Sequence, residues 1–170
     1  DCLELMKDIP DNYIDLTVTS PPYDNLRTYN GSLDWGEHVW KPVIQELYRV
    51  TKDGGGVVWV VGDATIKGSE TGTSFKQALY FKEIGFNLHD TMIYAKQNPV
   101  PYHHNRYNPQ FEFMFIFSKG TPKTFNPIQE NTKGYKTGKY RYPNGELKKA
   151  NTPIINKTKM LNNIWFYVVG

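Results

Sequence analysis

Apolar residues come along this chain in two rhythms, short β-branched or aromatic runs and stretches spaced at helical intervals, and their order predicts the architecture. The run Ile14-Asp15-Leu16-Thr17-Val18 stops at Thr19-Ser20-Pro21-Pro22-Tyr23. Proline cannot continue a hydrogen-bonded ladder, so the pattern predicts a buried strand whose C-terminal end presents a hydroxyl and an aromatic ring. Open α/β sheets place their ligands at such ends. Before it, Asp1 to Asp8 carries Leu3, Leu5 and Met6 and reads as a short helix ahead of the turn Pro10-Asp11-Asn12. After it, Ser20 to Asp34 is polar and turn-prone, as expected of a binding loop or lid.

Val39, Val43, Ile44, Leu47 and Val50 recur at helical spacing between Trp35 and Thr51, with Trp40 adding bulk. Gly54-Gly55-Gly56 follows and leads into the continuous apolar strand Val57 to Val61. Phosphate loops lead into a helix, so these glycines are read as a helix C-cap and tight turn. The second strand ends at Gly62-Asp63. A helix between two buried strands makes a βαβ unit, which puts the strands parallel and Ser20 and Asp63 on the same rim. Asp63 is compatible with a cap and with a role in the site. Beyond a polar loop, Thr71 or Thr73 is placed to cap a helix through Phe75, Leu79, Tyr80 and Ile84 that closes at Gly85.

Leu88 to Ala95 and Phe111 to Ser118 are two more strands. Their connection lacks a helical pattern, so they are expected to be antiparallel neighbours at a sheet edge. It carries Tyr102, His103, His104, Arg106 and Tyr107, which suit phosphates and bases. Two adjacent histidines without a third ligand predict no metal site. After Gly120 lysines and tyrosines interleave, and Tyr140 to Lys148 resembles a hairpin around Asn144-Gly145. Ile164 to Val169 returns to strand-like character.

A length of 170 residues suits one main core. The lone cysteine, Cys2, excludes an internal disulfide and fits a reducing, cytoplasmic setting. No apolar run is long enough to span a membrane, so none is expected as a partner. Charge is uneven. Residues 119–159 hold ten Lys and Arg against two Glu, a balance of +8, and the rest holds ten against fifteen Asp and Glu, a balance of −5. A docked polyanion and a solvated lysine-rich loop both account for that segment.

Ser-Pro-Pro-Tyr after an apolar strand resembles motif IV of the DNA methyltransferases that modify the exocyclic amine of cytosine (N4) or adenine (N6). Three further stretches resemble that family in order: Leu47 to Gly55, with Asp53 where proline is usual; Gln110 to Gly120; and Asn163-Ile164-Trp165. The resemblance implies a Rossmann-like, S-adenosylmethionine-dependent α/β sheet, with residues 1–120 as the catalytic half. Residues 121–160 would be a small basic recognition insertion and 161–170 a return strand. The motif order is that of the permuted β group, whose main cofactor loop follows the recognition region. Nothing after Trp165 supplies it, so a truncated form is expected. Such a form would leave the motif IV strand with an unpaired neighbour position, inviting self-association or pairing with a missing C-terminal half.

The implied chemistry explains the residue types. An exocyclic amine is a weak nucleophile, and acceptors at the Ser20 hydroxyl and the Pro21 carbonyl would hold its hydrogens. Pro21 and Pro22 would fix the turn, and Tyr23 would stack on a base flipped from the helix. Asp1 resembles the acidic residue that contacts the adenine of S-adenosylmethionine. Arg106, Lys133, Lys136, Lys139, Arg141, Lys148 and Lys149 would contact double-stranded DNA. Serine at the first motif position favours cytosine N4 over adenine N6, in a prokaryotic or phage-encoded enzyme. A non-catalytic DNA-binding remnant and a protein amide methyltransferase are the competing readings.

Overall fold

The computed structural model describes residues 1–24, 35–99, 101 and 105–168, with backbone alone for 135–138, 140 and 150–156. The long loop after Tyr23 lies mostly outside these residues, as do Tyr102, His103 and His104. The described chain forms two units, one of residues 1–124 and 163–170 and one of residues 125–162.

In the first unit a short helix α1 (Cys2–Lys7) precedes strand β1 (Ile14–Thr19), helix α2 (Glu37–Val50) and strand β2 (Thr51–Val61). A two-residue hairpin, β3 (Thr65–Ile66) and β4 (Ser69–Glu70), leads to helix α3 (Thr73–Ile84) and to strands β5 (Asn87–Lys96) and β6 (Phe111–Ser118). Strand β9 (Ile164–Tyr167) completes a five-stranded mixed sheet in the order β1-β2-β6-β5-β9. β1 runs parallel to β2, and β9 to β5, while β6 is antiparallel to both its neighbours. The C-terminal ends of β1, β2 and β5 therefore share a rim with the start of β6.

The predicted antiparallel pairing of Leu88–Ala95 with Phe111–Ser118 is present in β5 and β6, but not at an edge. β9 pairs outside β5, so both lie inside the sheet.

The glycines were expected to stop α2 and do not. The helix ends at Val50, and the backbone of its C-cap Thr51 bonds to the Leu47 carbonyl. Gly54, Gly55 and Gly56 lie within β2. Neighbouring backbone explains two of them: a Cβ on Gly55 would stand 2.7 Å from the Asp15 carbonyl oxygen, and one on Gly56 2.9 Å from that of Phe117. Only glycine admits β1 and β6 so closely.

Among the described residues, all three helices feed one core. Trp40, Ile44 and Leu47 of α2, Ala78 and Phe81 of α3, and Met6 of α1 pack on Val57, Trp59 and Val61 of β2 and Phe115 and Phe117 of β6. Phe81 stacks on Phe117 with ring centroids 4.0 Å apart. The expected burial of β1 is not found. Leu16 and Val18 are 60% and 66% exposed, because their side chains alternate onto the face away from that core and β1 pairs only with β2 among the described residues. The unpaired position beside the motif strand is thus present.

Arg49 ties the approach to β1 together. Its guanidinium donates to the carbonyls of Met6 (2.7 Å) and Ile9 (2.9 Å) and to the carboxylates of Asp11 and Glu46, both at 2.7 Å. The Arg49 hydrogen bond holds the Glu46 carboxyl below its ordinary range.

In the second unit β7 (Gln129–Arg141) and β8 (Leu147–Met160) form an antiparallel ribbon. The predicted Asn-Gly turn closes it: Gly145 is left-handed at φ 89°, and the Glu146 N–H donates to the Asn144 side chain. The paired strands run far beyond the predicted Tyr140–Lys148 span.

Gly56→Ala is expected to cost about 1–3 kcal/mol of unfolding free energy, because backbone must shift to admit the methyl group. Chemical denaturation measures it, and an unchanged midpoint would show that the close approach to Phe117 does not constrain the sheet.

Candidate functional site

An open cavity of about 1060 Å³ sits on the shared rim of the first unit. Ser20, Pro21 and Tyr23 reach it from the end of β1, Gly62 and Asp63 from β2, Lys96 from β5, and Phe111 to Phe113 from β6. Parallel pairing up to Thr19 opposite Trp59 sets the height of Ser20, and the two prolines turn the chain across the rim.

Tyr23 lies against Gly62, where an added Cβ would meet its ring at 3.4 Å. Its hydroxyl donates to Glu112 Oε2 at 2.8 Å and is 3.0 Å from Ser20 Oγ. Glu112 Oε1 is 2.6 Å from the Lys96 ammonium. Phe113 packs edge-on against Phe75 and Phe111, with centroids 5.2 and 5.4 Å away, so an aromatic wall stands beside these polar groups. Such a rim can hold and orient a flat ring carrying polar substituents.

Asp63 shares the rim, but its carboxylate is turned to α3. It accepts from the Ser74 N–H at 2.9 Å and the Ser74 hydroxyl at 2.5 Å, capping a helix whose own N-cap, Gly72, has no side chain to offer. Neither Thr71 nor Thr73 makes the predicted cap. Instead the Thr71 hydroxyl donates to Asp24 at 2.6 Å, with Asp63 3.3 Å away, and fastens the residue after Tyr23 to the loop after β2.

The remaining predicted residues are elsewhere. Asp1 caps α1 by accepting from the Leu3 N–H at 2.9 Å. Arg106 lines the cavity, donates to the Gly68 carbonyl and lies 3.8 Å from Glu70, which anchors its loop to the β3–β4 hairpin. Lys133, Lys139, Arg141, Lys148 and Lys149 are exposed on the ribbon of the second unit, and Lys136 lies on β7 with its side chain outside the described residues. Sequence reasoning gave Glu112 and Lys96 no part in the site. A single carboxylate inside the otherwise apolar strand Phe111–Ser118 was the available signal.

Residues 14–168 match the model of the N6/N4 DNA methylase family. The chain belongs to that family. Methyl transfer in this family draws on S-adenosylmethionine. The orphan methyltransferase M.BamHII of Bacillus amyloliquefaciens is 53% identical over 169 residues, covering 95% of this chain and 62% of the relative. The chain thus spans about three-fifths of that methylase's length. The fold is that of the cytosine-N4-specific PvuII DNA methyltransferase, with a TM-score of 0.60 at 23% identity over 72% of this chain and 49% of that one. A Thermus thermophilus structure described as a DNA modification methylase complexed with S-adenosyl-L-methionine gives 0.56 at 22% identity, covering 75% and 56%.

Asp63→Asn removes the charge from the α3 cap and is expected to lower stability by about 1 kcal/mol. Equilibrium unfolding reads the loss; a variant as stable as the parent would mean that the carboxylate does not hold the helix.

Proposed function

We propose that this methylase transfers a methyl group to the exocyclic amine of a base flipped out of double-stranded DNA, cytosine N4 in preference to adenine N6. The observation that carries this reading is the placement of Ser20, Pro21 and Tyr23 together at the sheet rim, on a cavity walled by Phe111 and Phe113. The lone pair of an exocyclic amine is delocalised into its ring. Two acceptors, Ser20 Oγ and the Pro21 carbonyl, hold the amine hydrogens and draw the nitrogen toward a pyramidal shape, which returns the lone pair to the attacking atom. Pro22 stiffens the turn, and Tyr23, backed by Gly62, stacks on the ring. S-adenosylmethionine supplies an electrophilic methyl group on sulfur. Asp1 would help hold it: a carboxylate has lone pairs beyond the one used in capping α1.

The ribbon suits the duplex. Lys139 and Lys149 are directly opposed and Arg141 opposes Leu147, so the three cations share one face near the turn. A two-stranded ribbon fits a major groove, and cations at its tip reach phosphates. Lys133, Lys136 and Lys148 add charge along it, and Arg106 would meet DNA at the cavity mouth. The uncovered edge and apolar face of β1 support a sheet that continues beyond β1 in the working enzyme, through further sequence or a second copy. Such an enzyme would act in a prokaryotic cytoplasm; among the described residues no helix is long and apolar enough to cross a membrane.

Mass spectrometry of DNA digested after incubation with the full-length enzyme and S-adenosylmethionine is expected to show N4-methylcytosine, with Ser20→Ala reducing it about a hundredfold or more. N6-methyladenine would move the assignment to the other base. No methylated amine in any DNA, with Ser20→Ala like the parent, would reject it. Lys139→Ala, Arg141→Ala and Lys149→Ala are each expected to weaken DNA binding across sequences and to lower the log–log salt slope by about one.

A further inference from the structure

The side chains around Ser20 are joined in an order that decides which gives a proton and which receives one. Lys96 is an ammonium with donors only, and its partner Glu112, 2.6 Å away, is a carboxylate with acceptors only. The Tyr23 hydroxyl has one proton and gives it to Glu112 at 2.8 Å. The Tyr23 oxygen, 3.0 Å from Ser20 Oγ, then accepts the single Ser20 proton. Ser20 is left to present lone pairs, and no hydrogen, to any further group that reaches it.

We propose that Glu112, held by Lys96, is a positioning residue that acts through Tyr23 to make Ser20 an acceptor for a hydrogen of the target amine. A hydroxyl rotates to suit its surroundings. Unrestrained, the Ser20 O–H can turn toward the target nitrogen and bond to the electron pair that has to attack. The proton order from Glu112 removes that option and points the Ser20 lone pairs where acceptance draws the nitrogen lone pair out of the ring. This inference rests on the amino-methyltransferase reading.

The surroundings favour the arrangement. Glu112 and Lys96 side chains are only 19% and 28% exposed, on a strand whose neighbours Phe111 and Phe113 are apolar. A carboxylate withdrawn this far from water needs a partner, and Lys96 reaches it from β5, diagonally across the pair formed by Tyr94 and Glu112. Glu112 is thus fixed before substrate arrives.

Glu112→Gln, nearly isosteric, tests the proposal in the complete methylating protein. Its amide can donate as well as accept, so the proton order is no longer imposed. The expected result is a kcat at least about tenfold lower, with KM for DNA within about threefold and the thermal midpoint unchanged. Tyr23→Phe, which keeps the ring and removes the hydroxyl, is expected to lower kcat likewise, and Lys96→Met to do so more weakly. A second measurement needs no turnover: in protein carrying carbon-13-labelled tyrosine, Glu112→Gln and Ser20→Ala should each move the Tyr23 Cζ resonance. A wild-type kcat in Glu112→Gln, or a Tyr23 resonance unmoved by that change, overturns the proposal. Absence of DNA methylation by the parent protein would instead defeat the amino-methyltransferase reading and this role with it, while the resonance would still decide the proton order.

Discussion

The close approach of three backbones at Gly55 and Gly56 is the constraint on which the rest of the sheet depends. β2 lies between β1 and β6, and at its start the carbonyls of Asp15 and Phe117 occupy space that a side chain would need. From there the parallel register runs from Leu16 opposite Gly56 to Thr19 opposite Trp59. A one-residue slip would turn Thr17 and Thr19 away from the core face and lift Ser20 from its place on the rim. The antiparallel register with β6 carries the same reference across to Phe113 opposite Val61, beside Glu112. Positions at the rim are therefore set by contacts made at the far end of the strands.

On the proposed reading, this geometry holds the polar groups of the site at a strand end. Ser20 stands one residue beyond β1, and two prolines leave the chain little freedom before Tyr23 reaches Gly62 and Glu112. Thr71 fastens the next residue, Asp24, to the loop after β2. The turn is thus held by the strand behind it, by the Tyr23 hydroxyl across the sheet and by Asp24 ahead. A hydroxyl and a carbonyl that must meet two hydrogens on one nitrogen need this kind of restraint.

Local signals in the sequence were legible where the structure they report is local. The spacing of Ile44, Leu47 and Val50, the Asn144-Gly145 turn and Gly85 at the end of α3 each act within a few residues, and each was read correctly. The three glycines misled because a helix stop and a close backbone approach use the same residue; only the positions of Asp15 and Phe117 distinguish them. The bond between Tyr23 and Glu112 spans 89 residues of sequence. No periodicity encodes such a contact, so the acidic residue could be noticed inside its strand but not assigned a partner. Asp63 was ambiguous for the same reason, since its partner Ser74 lies across a loop.

β1 shows a different limit. Its Leu16 and Val18 state that a face is suited to burial, and hydrophobicity cannot say what supplies the cover. In the first unit every helix packs on the other face, that of Val57, Trp59, Phe115 and Phe117. The same strand therefore carries two surfaces of different standing: Thr17 and Thr19 face the core, whereas Leu16 and Val18 are exposed beside an edge that no other described strand pairs. Exposed apolar side chains on an edge strand favour pairing with another strand. The residues proposed to handle the target amine sit at the end of that strand, so whatever covers Leu16 and Val18 also approaches Ser20.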